Sequence, residues 1–295
     1  QALAPLDDGD RVVERGVEVE VVELVETTEP VGVDVDQVGA ADQRGMHPGD
    51  DERRCLHRRL EGLPPGLNAR ASMTVTAGLV SALVLAGPLT GTIFAHGSRD
   101  VAQVALTFDA CSSGGANRLD EPLLRALEAA DVPATIFLGG IWMERQPGAV
   151  RRLAANPRFE LGLHGWDHRH LAKLSDALLR SHFEKSRGVF RALAGRDSVL
   201  FRPPFGIALV RDARLAAEAG LVTVTYDLAS GDPDPAFTKE VLPRYVVKRA
   251  RNGSVIIFHL NGRGHATAVA LPGIVAGLRT RGFAFTTVGA MLVGR

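Results

Sequence analysis

The sequence predicts an α/β protein built on a parallel sheet, and three observations carry that prediction. After Arg99, short apolar runs alternate with amphipathic stretches of helical period. Turn residues punctuate the alternation, and the residues able to do chemistry fall where the apolar runs end. Seven such βα units suit either a closed barrel or an open doubly wound sheet, because both bury parallel strands on two faces. The period alone does not choose between them.

In chain order, strands are expected over 101–108 (VAQVALTF), 134–139 (ATIFLG), 159–163 (FELGL), 198–202 (SVLFR), 221–228 (LVTVTYDL), 254–260 (SVIIFHL) and 283–288 (FAFTTV). Leu119, Leu123, Leu124 and Leu127 recur at helical spacing after the first of these. Leu178, Leu179, Phe183 and Phe190 do the same behind Ser175, a residue type suited to the N-cap. A further helix contains Leu271 and Leu278, and Gly220 and Gly282 stand where helices should stop.

The chain of 295 residues is 45% apolar with a formal net charge of zero, ordinary for a globular protein and without the basic excess of a nucleic-acid binder. A monomer with no nucleic-acid partner is the expectation. Cys55 and Cys111 lie far apart and form neither a disulfide framework nor a CxxC spacing. Residues 1–72 lack turn signals and a partner pattern for their Val- and acid-rich run. They are expected to be disordered, or to be non-native sequence ahead of a start at Met46 or Met73. Residues 73–95 carry no charge and follow Arg53, Arg54, Arg58, Arg59 and Arg70. That pattern predicts one apolar helix, either a signal peptide cleaved near Ala86 or Ala95 or an uncleaved membrane anchor, with everything after Ala95 outside the cytoplasm. The remaining domain is expected over 99–295.

In parallel βα folds, catalytic groups gather at the C-terminal ends of strands. Asp109 follows the first strand, His164 and His168 the third, Arg202 ends the fourth, Asp232 lies past the fifth and His259 ends the sixth. Each has a plain alternative. A lone Asp after a strand is usually a turn or cap residue, and a His in an apolar strand usually a satisfied core residue. Placement of all of them at successive functional ends of one sheet is what favours a site.

The stretches TFDAC, HGWDH, FRPPFG, SGD and IIFHLNG, in this order, resemble the five motifs of the polysaccharide deacetylase family (carbohydrate esterase family 4, the nodulation-type deacetylase domain) over residues 101–292. The resemblance implies a distorted seven-stranded (β/α) barrel, similar to a TIM barrel. It also implies metal-dependent removal of acetyl groups from a sugar polymer of peptidoglycan, chitin or xylan type, usually outside the cytoplasm. Carried over position by position, it makes Asp109 the general base oriented by Arg202, and His259 the general acid tuned by Asp232. His164 and His168 become ligands of a divalent metal, with zinc the expected ion. Phe205 and Trp166 become walls of the acetyl pocket, with an oxyanion-stabilising N–H near Phe205. Asn261 and Arg263, in a polar loop at the rim, are the further substrate-binding candidates.

Two positions depart from the family pattern. Ala110 stands where the family usually has a second aspartate, its third metal ligand, and Pro233 replaces a tryptophan of the fourth motif. Three accounts of Ala110 stay open: Asp109 itself ligates the metal, Cys111 or His265 supplies the third contact, or the metal is held weakly or not at all. The first is the most economical on paper. Cys111 needs no function if it only fills space beside the strand. A catalytically degenerate glycan-binding barrel and a barrel amidohydrolase acting on a small amide are the rival functions.

Overall fold

The structure is a computed structural model that describes residues 91–112 and 117–294. Residues 1–72, the 73–90 part of the expected apolar helix and Cys55 lie outside the described residues. Among the described residues nine short strands form one sheet: β1 (Ile93–Phe94), β2 (Gln103–Ala110), β3 (Ala134–Leu138), β4 (Phe159–Leu163), β5 (Leu200–Phe201), β6 (Val222–Val224), β7 (Leu228–Ala229), β8 (Ser254–His259) and β9 (Ala284–Phe285). Their order is β1-β6-β5-β4-β3-β2-β8-β7, with β9 pairing the start of β2, and every strand pair is parallel. Just past β1, His96 makes an antiparallel bridge to Ser254 at the start of β8. Two strands so far apart in the order meet only if the sheet curls on itself, which gives the distorted (β/α) barrel.

Around the sheet run α1 (Glu121–Ala130), α2 (Gly140–Arg145), α3 (Pro147–Ala155), α4 (Asp176–Ala194), α5 (Val210–Glu218), α6 (Val241–Arg249), α7 (Thr267–Thr280) and α8 (Val288–Val293). Local chemistry fixes their ends. The Asp120 carboxylate accepts the Leu123 N–H at 3.0 Å, and Ser175 caps α4 through the Leu178 N–H. Gly195 closes α4 at φ 68°, in the left-handed region that favours glycine.

Two apolar clusters show which way each strand residue faces. Val104, Leu106, Phe108 and Ala110 of β2, with Ile136 and Leu138 of β3 and Ile256 and Phe258 of β8, join the large cluster that includes Leu123 and Leu127 of α1 and Leu271, Ile274 and Leu278 of α7. Ala105, Phe137, Val255, Phe94 and Val224 form the smaller cluster inside the curl. Successive strand residues point to opposite faces. Odd positions of β2 and β8 therefore face inward and even positions face the helices.

Four expectations are corrected by the backbone. Ile93–Ala95 belong to the sheet and its buried core, not to an apolar helix over 73–95, so the folded domain begins ahead of residue 99. The single strand expected over 221–228 divides into β6 and β7. Between them, the Asp227 carboxylate accepts the Val255 N–H at 2.7 Å and the Ser254 hydroxyl at 3.0 Å. Side-chain bonding there replaces ladder pairing. The expected strand over 283–288 keeps only β9, because Thr287 accepts the Ala290 N–H and starts α8. The strand expected over 198–202 shortens to β5, where Ser198 bonds the Leu161 carbonyl through its side chain. The described residues thus hold nine short strands, and the distorted (β/α) barrel expected from the sequence stands. Among the described residues no helix is long and apolar enough to cross a membrane.

Candidate active site

Asp109, next to last in β2, faces inward, and in register its neighbour across the ladder is His259 at the end of β8. Parity and register thus bring the first and fifth motifs together before any side chain is considered. Arg202, just past β5, is fully buried and reaches across the interior of the curl. One of its amino groups, Nη1, donates to Asp109 Oδ1 and to Thr107 Oγ1, both at 2.9 Å, and Nη2 donates to the Thr225 carbonyl at 3.0 Å. The guanidinium lies 4.1 Å from the centroid of the Phe137 ring and 5.7 Å from that of Tyr226. Thr107 in turn donates to the Ile256 carbonyl at 2.8 Å. The carboxylate of Asp109 is therefore held in direction by one arm of a guanidinium that Thr107 and the Thr225 carbonyl fix in place.

Burial opposes ionisation of Asp109, but its interactions with His164 and Arg202 first, and with His259 after them, hold its carboxyl below the ordinary range. His164 is itself pushed down by burial, so at neutral pH its ring is uncharged and Arg202 is the permanent cation of the group. The Nδ1 of His164 lies 2.9 Å from the Arg202 carbonyl. A carbonyl only accepts, so Nδ1 carries the proton and the Nε2 lone pair faces the site, 3.4 Å from Asp109 Oδ2. Burial and the nearby His164 push His168 down to about 3. His168 sits at φ 58°, and its ring centroid lies 5.2 Å from that of His164. Both imidazoles are thus neutral donors.

On the other side, His259 Nδ1 lies 2.8 Å from Asp232 Oδ1, and the His259 backbone N–H donates to Oδ2 at 2.9 Å. Ser230 and Thr267 hydroxyls also donate to this buried carboxylate, at 3.2 and 3.0 Å. Asp232 is held rigidly and fixes the His259 ring, leaving Nε2 for proton transfer. A Cβ on Gly264 would meet Thr267 Oγ1 at 2.2 Å and Asp232 Oδ2 at 2.8 Å, so the loop approaches this carboxylate only because residue 264 has no side chain.

Three described residues offer ligand atoms all within 4.8 Å of one another: Cys111, His164 and His168. Asp109 is not in that cluster, and His265 is exposed with its backbone N–H on the Asp232 carbonyl. The donor set of imidazole nitrogens and a sulfur fits zinc.

Phe205, at φ 63° in a single 3₁₀ turn over Pro204–Gly206, stacks on His170 at 3.9 Å and lies 4.5 Å from the His168 ring. It walls the metal-side histidines. Trp166 packs closely on Gly140, where a Cβ would come within 2.2 Å of its ring, and Lys185 Nζ lies 5.8 Å from the ring centroid. Asn261 is buried and its amide donates to the Cys111 carbonyl at 2.8 Å, which makes it a tie between the first and fifth motifs rather than an open rim group. Arg263 is half-buried and close enough to His168 to act on its charge. Thr107, Thr225, Thr267 and Tyr226 join the site without having been singled out from sequence. Inward parity in β2 would have found Thr107, while Thr225 and Tyr226 sit in an irregular segment and Thr267 opens α7, off its periodic apolar face.

A curled parallel sheet with an Arg-clamped carboxylate, an Asp-held histidine and a pair of neutral histidines at its strand ends has the make-up of a hydrolase site. The sequence profile of the polysaccharide deacetylase family matches residues 96–224. A peptidoglycan-N-acetylglucosamine deacetylase of Bacillus cereus is 30% identical over 197 residues, 66% of this chain and 70% of that protein. A second Bacillus cereus protein of the same name is 29% identical over 193 residues, covering 64% of this chain and 87% of its own. The crystal structure of the Bc1960 peptidoglycan N-acetylglucosamine deacetylase superposes with a TM-score of 0.62 at 29% identity, over 68% of this chain and 92% of that one. The chain belongs to the polysaccharide deacetylase family, and its enzymatic class is that of the carbohydrate deacetylases.

Proposed function

We propose that the protein is a zinc-dependent hydrolase that removes the N-acetyl group from N-acetylglucosamine residues of a cell-wall polysaccharide, with peptidoglycan as the first candidate. The observation that carries this reading is the convergence of Arg202–Asp109, Asp232–His259 and His164–His168 at one end of the sheet, and the named activities of the two Bacillus relatives support the substrate class. Chitin- or xylan-type polymers share the acetyl chemistry and rank behind it.

In this account His164 and His168 hold the cation, for which their neutral rings and the fixed tautomer of His164 suit them. When bound there, zinc polarises the acetyl carbonyl and lowers the pKa of water. Asp109, ionised and aimed by Arg202, takes the proton of the attacking water. The strained backbone at Phe205 brings an N–H of the third motif to the oxyanion, and its ring shields the acetyl methyl from bulk water. His259, protonated on Nε2 and held through Nδ1 by Asp232, donates to the departing amine. Arg263 at the rim contacts sugar hydroxyls.

The reaction takes place outside the cytoplasm, where the polymer lies, with the uncharged run ahead of β1 supplying a leader or an anchor. Cleavage near Ala86 keeps β1 (Ile93–Phe94) on the chain, whereas cleavage after Ala95 removes it. The test is acetate release from fully N-acetylated glycan strands, with zinc present, by the wild type and by Asp109→Asn. The expected result is release by the wild type and a rate lower by about a hundred- to ten-thousandfold in the variant. Near-normal turnover in the variant refutes the role of Asp109, and no release by the wild type refutes the activity.

A further inference from the structure

We propose that Cys111 is the third protein ligand of the metal, taking the place that Ala110 leaves without a donor, and that Asn261 positions it. This deepens the deacetylase reading and rests on it for the identity of the site. Ala110 carries no donor atom and is fully buried among apolar side chains, with Phe108 and Leu138. Cys111, two residues past Asp109, returns to the inward side. Its Sγ and a nitrogen from each of His164 and His168 all lie within 4.8 Å of one another.

The surroundings of the sulfur suit a ligand better than a space-filler. Asn261 donates from Nδ2 to the Cys111 carbonyl at 2.8 Å and reaches Sγ at 3.5 Å, so one amide holds the backbone of residue 111 and gives an N–H to its sulfur. Hydrogen bonding of that kind orients metal ligands and steadies a thiolate. Gly139 closes the opposite side: its N–H donates to the Ala110 carbonyl at 2.9 Å, and a Cβ there would lie 3.3 Å from both Cα and Cβ of Cys111. The donor set becomes two imidazoles and one thiolate. Such a set favours zinc and cobalt over magnesium or manganese, which prefer oxygen. Asp109 is thereby released from ligation and keeps its carboxylate for the proton.

The experiment is titration of the metal-free 295-residue chain with Co²⁺ and with Zn²⁺, for the wild type, Cys111→Ser, Asn261→Ala, His168→Ala and Ala110→Asp, with circular dichroism confirming that each is folded. The wild type is expected to develop a near-ultraviolet sulfur-to-cobalt charge-transfer band. Cys111→Ser should lose that band and bind zinc roughly a hundredfold more weakly, and Asn261→Ala about tenfold more weakly. His168→Ala should lose tight cobalt binding, and Ala110→Asp should gain no zinc affinity. Cobalt bound by the wild type without the band, or a Cys111→Ser variant that binds zinc as tightly as the wild type, overturns the proposal while leaving the deacetylase reading intact. The cobalt spectrum of the wild type needs no variant to fold. A band that disappears in both Cys111→Ser and His168→Ala, in a protein that releases no acetate from any glycan, supports the ligand assignment and sinks the deacetylase reading instead.

Discussion

Replacing Arg202 with leucine removes the one permanent cation beside Asp109 and takes out three hydrogen bonds at once, to Asp109, Thr107 and the Thr225 carbonyl. Both members of the ion pair are buried, Arg202 at 0% and Asp109 at 3% exposure, so water cannot replace the guanidinium. Removing one partner of a buried pair typically costs about 3–5 kcal/mol. For a folded unit of roughly 150–250 residues that corresponds to a fall in Tm of about 6–20 °C. Asp109 has a second response, which is to take up a proton more readily, because Arg202, which with His164 held its carboxyl low, is gone. The acid limb of the pH–rate profile should then move to higher pH. Thermal denaturation and a pH series of acetate release read the two effects separately. Arg202→Lys keeps a charge without the planar fork, so it should recover part of the Tm and little of the rate. An Arg202→Leu protein that melts with the wild type and keeps its acid limb would refute the reasoning.

Burial lowers the pKa of both His164 and His168, the latter to about 3, whereas unfolded histidine titrates near 6.5. Below about 6.5 the unfolded chain binds more protons, so the metal-free protein loses stability as pH falls toward the folded values, by up to about 1.4 kcal/mol per pH unit for each ring. Urea midpoints of the wild type against His168→Asn measure that slope, and identical slopes would contradict a neutral, buried His168. Gly264→Ala should push Thr267 and Asp232 apart and lower kcat by about tenfold or more with KM little changed, since it disturbs the orientation of His259. A wild-type kcat would show that the loop adapts. Removal of residues 1–95 should melt well below removal of residues 1–90, because Phe94 is buried in the inner cluster and losing such a ring costs about 3–5 kcal/mol. Equal Tm values would place β1 outside the folding unit.

The periodic parts of the chain were readable from sequence because buried parallel strands and amphipathic helices announce themselves through composition. Phe159–Leu163 matches its expected bounds, and Ser175, Gly220 and Gly282 stand at the helix ends assigned to them. Misreadings fell where side chains override the pattern. Asp227 interrupts one apolar run with its own hydrogen bonds, and Thr287 turns the end of another into a helix. Ile93–Phe94 was hidden because it continues an uncharged run whose length suggests a membrane helix. For the site, the strand-end residues were legible because parallel topology dictates where they gather. The distance from Cys111 to the two histidines was not, since it depends on how the chain turns after β2 and on the tie that Asn261 makes to it.

The central claim is that acetyl transfer to water at this site depends on a metal held by His164 and His168. The direct measurement is acetate release from N-acetylated peptidoglycan before chelation, after chelation and dialysis, and after stoichiometric zinc is returned. The account predicts release, its loss, and its recovery, with no recovery in His164→Ala. Release that continues undiminished in the chelated, metal-free protein would contradict it.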